Sequence, residues 1–126
     1  MPDFTSARGS YFHRFSVATR RDAGVAIIEV HGGLDISSAR AFAAAMAAVA
    51  NEPTVVDLSD CDFVDSSGLK VIIETYRRDQ RLAIVCEPEG APARLLELTV
   101  QGTIGTHRDV AAATAELAGA APGHGE

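Results

Sequence analysis

Carboxylates at Asp60 and Asp62 and hydroxyls at Ser66 and Ser67 crowd one short stretch, Asp60-Cys61-Asp62-Phe63-Val64-Asp65-Ser66-Ser67-Gly68. The Asp-x-Asp-x-Val spacing is that of aspartate-nucleophile phosphatases, in which the first carboxylate attacks phosphate and the second handles the proton. Such chemistry also needs a lysine and further carboxylates around Mg²⁺, and Lys70, the chain's only lysine, falls in the helix just beyond. A small Mg²⁺-dependent phosphatase therefore stands only as an out-of-class alternative. The serines offer different chemistry. Leu69, Ile72, Ile73 and Tyr76 recur at helical spacing after them, so Ser66 and Ser67 open a helix with Asp65 ahead of it. Unpaired N–H groups and the positive end of the helix dipole favour an anion there, so a phosphate on either serine is compatible with the fold. Ordinary helix capping by Asp65, Ser66 and Ser67 accounts for the same local pattern.

The remaining reactive side chains are less organised. A receiver domain with Asp57 as phosphoacceptor needs an acidic pair after the first parallel strand, where Gly32-Gly33 stands instead. His13, His31, His107 and His124 lack metal-ligand spacing, and no metal site is expected. Cys61 and Cys86 make neither a disulfide framework nor a zinc site. Each follows an apolar run, so on parallel neighbouring strands they would lie near one sheet edge as a possible redox pair.

These groups need elements to hold them. Phe15 to Arg20 alternates apolar and polar, Arg21-Asp22-Ala23-Gly24 makes a turn, and Val25 to His31 is a more buried strand ended by Gly32-Gly33. Ala39, Phe42, Ala43, Met46 and Val49 mark a helix capped by Asp35, Ser37 or Ser38 and stopped before Pro53. Thr54 to Leu58 is a buried strand, followed by an acidic loop and the serine-led helix, which ends in Arg77, Arg78 and Arg81. Leu82 to Val85 is a fourth strand. Pro92 opens a short helix with Leu95, Leu96 and Leu98, and Thr103 to Thr106 forms a short last strand. Asp109 caps a terminal helix bearing Val110, Ala113, Thr114 and Leu117. This alternation predicts an α/β fold with a largely parallel sheet behind an antiparallel N-terminal hairpin.

At 126 residues, 47% hydrophobic and 22% charged, the chain suits one soluble globular domain. The expected limits are a flexible N-terminus over 1–12, the domain over 13–118 and a flexible tail over 119–126. A formal net charge of -6 repels nucleic-acid phosphates and anionic lipid surfaces, so neither is expected as a partner. No segment has the length or apolarity of a signal peptide or a membrane span, which points to the cytoplasm.

The string Phe63-Val64-Asp65-Ser66-Ser67-Gly68-Leu69 after a buried strand, with Gly32-Gly33-Leu34-Asp35 ahead of the first helix, resembles the STAS domain family, specifically its stand-alone anti-sigma factor antagonists. The likeness runs from Phe15 to Leu117. It implies a mixed sheet of about five strands with about four helices, and a partner-switching protein with no catalysis and no cofactor of its own. It also implies that Ser66 is the residue phosphorylated by an anti-sigma factor that is itself a serine kinase. The unmodified form would bind that kinase, the phosphorylated form would release it, and a PP2C-type phosphatase would reset the switch. By the same resemblance Asp35, Asp65, Ser67, Gly68 and Leu69 line the partner-facing surface, and the protein is a monomer or weak dimer. Gly33 departs from the family, which commonly has glutamate there. The resemblance extends to STAS proteins acting as scaffolds or stress-assembly subunits, which is the alternative within the family.

Overall fold

The computed structural model describes residues 15–90, 92, 94 and 104–118. Five strands form one sheet in the order β1-β2-β3-β4-β5: β1 (Ser16–Asp22), β2 (Val25–Leu34), β3 (Thr54–Val64), β4 (Leu82–Val85) and β5 (Gly105–His107). β1 and β2 pair antiparallel and every later pair is parallel. The helices among the described residues are α1 (Ala39–Ala48), α2 (Ser66–Arg78) and α3 (Val110–Ala118). Pro92 and Arg94 are also helical, but Leu95, Leu96 and Leu98 of the expected short helix lie outside the described residues, as do both expected flexible termini.

Alternation along the central strands separates two apolar layers. Ala26, Ile28, Val30, Val56, Leu58 and Ile84 face one side, where Phe42 and Met46 of α1 and Leu69 and Ile72 of α2 cover them. Val25, Ile27, Val55, Ala83 and Val85 face the other, under Ala113 and Leu117 of α3. The core strands are buried on both faces, which is why they read as continuous apolar runs in the sequence. β1 is different: it sits at the sheet's edge with only Val17 partly buried.

Several expectations need correction, among them the end of the serine-led helix, which stops at Arg78 and leaves Arg81 beyond it. β2 does not end at Gly32-Gly33 but continues to Leu34, and the acidic segment after Leu58 is not a loop but the second half of β3. The ladder holds because β3 absorbs extra residues. Between Glu29↔Asp57 and His31↔Asp60, and again between Gly32↔Cys61 and Gly33↔Phe63, β3 advances one residue more than β2. Bulges of this kind bend a strand without ending its pairing. Gly32, at φ 87°, takes the left-handed backbone open to a residue without Cβ. Leu34, at 0% exposure, then lands in the core opposite Val64. The last strand is also shifted, to Gly105–His107, where it pairs with Ala83 to Val85.

The turn between β1 and β2 has both central residues at positive φ, Ala23 at 55° and Gly24 at 78°. Two positive φ values define a type I′ hairpin, which matches strand twist but strains a residue carrying Cβ at its first position. Ala23→Asn should therefore raise stability by about 0.5–1 kcal/mol. Urea unfolding should show a higher midpoint at unchanged slope.

Candidate functional site

The bulged ladder delivers β2 and β3 together to the carboxyl end of the sheet. There the Asp65 N–H donates to the Leu34 carbonyl at 2.9 Å, carrying the strand pairing one step into the turn that starts α2. Asp65 is the N-cap of α2: its Oδ1 accepts from the Ser67 N–H at 2.8 Å and the Gly68 N–H at 3.3 Å. Its carbonyl accepts from the Leu69 N–H at 3.0 Å. The cap thus satisfies three donors of the first turn, as an N-terminal aspartate should. Ser66, the first residue of the helix, is exposed, and among the described residues nothing holds its hydroxyl. Ser67 is half-buried.

The neighbouring turn is built in the same manner. Asp35 follows Leu34 as Asp65 follows Val64, and its Oδ1 accepts from the Ser37 hydroxyl at 2.6 Å and the Ser37 N–H at 2.9 Å. Those bonds, led by the Ser37 hydroxyl, hold the Asp35 carboxyl below the usual carboxylate range. Ser38, buried, donates from its hydroxyl to the Gly33 carbonyl at 2.9 Å and accepts from the Asp35 N–H at 2.9 Å. Ser38 occupies the N-cap position of α1, but the donors of that turn are served by Asp35.

Gly68 and Leu69 lie beneath this surface. A Cβ on Gly68 would stand 2.5 Å from Leu34 Cγ and 3.3 Å from Leu34 Cβ. The glycine is therefore the seat on which α2 rests against the end of β2, and its contact is internal. Leu69, 6% exposed, belongs to the core. Asp35, Asp65, Ser66 and Ser67 reach solvent at this end, the first two and Ser67 partly.

Sequence reasoning missed two features. Gly33 lies under the Phe63 ring, whose Cε2 and Cζ would stand 2.5 Å from a Cβ there. The aromatic ring occupies the space a glutamate at this position would need. Ile36, between Asp35 and Ser37, is 80% exposed, the one large hydrophobic side chain so placed among the described residues. An isoleucine out of helical or strand period inside a serine-rich turn was the available signal.

Asp60 and Asp62 remain on β3. Asp60 is 71% exposed with Oδ2 3.4 Å from His31 Nδ1, and Asp62 is exposed. Among the described residues no group of three or more His, Cys, Asp or Glu side chains gathers to hold a metal ion. Cys61 and Cys86 are buried free thiols. Burial pushes the Cys61 thiol up to about 11 and raises that of Cys86, so both are held away from the thiolate that bridging requires. A cleft of about 120 Å³ lies at the opposite end of the sheet, between Met46, Val49, Thr54, Arg78 and Leu82. No helix among the described residues is long and apolar enough to cross a membrane.

A family model described as "Mlab, STAS domain" matches residues 17–106. Among solved structures, an anti-sigma factor antagonist from Mycobacterium paratuberculosis is 27% identical with a TM-score of 0.75, over 82% of this chain and 94% of that one. A Thermotoga maritima protein, 19% identical, gives 0.63 over 80% and 93%. The anti-sigma factor antagonist SpoIIAA, solved in its unphosphorylated form, gives 0.60 at 13% identity over 82% and 96%. At those two lower identities the likeness is one of fold. Comparison with curated protein sequences finds no match.

The two close approaches predict different costs. Gly68→Ala drives a methyl into a fully buried leucine and should destabilise by about 1–2 kcal/mol despite alanine's better helix propensity. Gly33→Ala meets only the outer edge of a partly buried ring that can swing away, and chemical denaturation should show a smaller loss. Iodoacetamide at neutral pH should label both thiols at least about tenfold more slowly in the native protein than in urea.

Proposed function

The chain belongs to the STAS domain family, and on that premise we propose that it is an anti-sigma factor antagonist whose binding is switched by phosphorylation of Ser66. In its unmodified form it binds an anti-sigma factor with serine kinase activity and so releases a sigma factor for transcription. The kinase supplies nucleotide and Mg²⁺, a PP2C-type phosphatase removes the phosphate, and the chain performs no chemistry itself. The observation that carries this reading is the exposed, unheld Ser66 hydroxyl at the start of α2, with its helix already capped by Asp65.

The surface around it suits a protein partner. Asp35 and Asp65 are each fixed by bonds within their own turn, so they present carboxylates in set positions. Ile36 supplies an apolar contact beside them. Gly68 and Leu69 contribute from below, by fixing the height at which Ser66 stands. Phosphorylation adds about -1.5 to -2 charges at neutral pH to a surface that already holds these acids. The partner then meets concentrated negative charge where it had met a hydroxyl, and it dissociates without any need for the domain to refold.

Phosphopeptide mass spectrometry after incubation with ATP and each anti-sigma kinase of the same genome should find phosphate on Ser66; no phosphate with any kinase would overturn the reading. Ser66→Ala should bind the kinase constitutively and Ser66→Asp poorly, by calorimetry. Ile36→Ala should weaken binding by about tenfold with thermal unfolding unchanged.

A further inference from the structure

The capping that makes α2 stable also removes what a phosphate on Ser66 would otherwise use. Phosphate at a helix start is ordinarily stabilised by the free N–H groups of the first turn. Here the Ser67 and Gly68 N–H groups are taken by the Asp65 carboxylate, and the Leu69 N–H by the Asp65 carbonyl. The cap also sets a negative charge one residue from the modified side chain. A dianion on Ser66 thus arrives beside an acid, with the Ser67, Gly68 and Leu69 N–H groups already engaged, which leaves a nearby cationic side chain to answer its charge within the protein.

α2 carries one at the right spacing. Lys70 is four residues after Ser66, and residues at i and i+4 lie on one helix face with Cβ atoms about 5–6 Å apart. Both are exposed. The order, anion towards the N-terminus and lysine towards the C-terminus, is the favourable one. Among the described residues Lys70 makes no ion pair; Glu74, one turn further, is the other acid on that face, and no bond joins the two. Arg40 is an exposed cation on the neighbouring helix at this end of the sheet. It lies in the first turn of α1, two residues from Phe42 and so away from that helix's buried face.

We infer that Lys70 is the intramolecular counter-ion of phosphorylated Ser66. The inference deepens the phospho-switch reading and rests on it. Lys70 holds the phosphate as a dianion and draws it along the outer face of α2, which keeps the modified helix start compatible with its own aspartate cap. In the unmodified protein Lys70 has no such work.

The test installs phosphoserine at position 66 during translation by a suppressor tRNA, so that no kinase is needed, and follows its second ionisation by ³¹P NMR. Lys70→Gln should raise that pKa by roughly 0.15–0.4 unit, as loss of a neighbouring cation requires. Lys70→Arg should restore it, and Arg40→Gln should leave it where it was. Thermal unfolding of unmodified Lys70→Gln should match the parent. An unmoved pKa in Lys70→Gln, or an equal rise in Arg40→Gln, overturns the inference. Failure of the switch reading would show separately, as absence of phosphate on Ser66 after treatment with ATP and kinase.

Discussion

The seating of Gly68 against Leu34 is the contact on which the Ser66 end of the molecule depends. Leu34 is the last residue of β2, buried and paired with Val64, and its carbonyl receives the Asp65 N–H. Gly68 is the third residue of α2 and touches that leucine where any side chain of its own would collide. Strand end, cap and helix start are thereby one packed unit. Packed interiors do not deform continuously, so a charge placed on the exposed outer side of this unit alters the surface and leaves the packing beneath it alone.

Much of this was legible in the sequence, and the failures have physical causes. The core strands and the faces of α1, α2 and α3 followed from periodicity, because Phe42, Met46, Ile72 and Leu117 obey the spacing that burial on one face demands. The cap at Asp65 followed from residue chemistry. What periodicity could not show was that β2 and β3 pair beyond their apolar runs. Gly32 and Gly33 carry the signature of a turn, and Asp60 and Asp62 that of a loop, yet the bulges let the chain carry both segments on as strand. A bulge shifts the alternation that strand recognition relies on, so the same device that builds the site conceals it.

The site itself was half visible. Residue identities located Asp35, Asp65 and Ser66, but not which of their neighbours face outward. Gly68 and Leu69 stand beside Ser66 in the chain and beneath it in space, since a helix turns successive residues through about 100°. The pairing of Gly33 with Phe63 depends on a contact between segments about 30 residues apart, which no local pattern reports. That pairing also gives the glycine at position 33 a structural reason: its lost side-chain volume is filled by a ring from the next strand.

One feature far from Ser66 bears on how the protein behaves in a crowded solution. Among the described residues β1 ends the sheet, and from Ala18 to Asp22 every residue is exposed. An open strand of this kind is a template on which another chain can add a strand of its own, and repetition of that step leads to aggregation. Here the edge bears Arg20, 3.0 Å from Glu29, and Arg21, held by two bonds of 2.8 Å to Glu52. An incoming strand would meet two large, engaged charged groups and no apolar stripe. β1 therefore completes the hairpin while discouraging the addition of another chain's strand at its own edge.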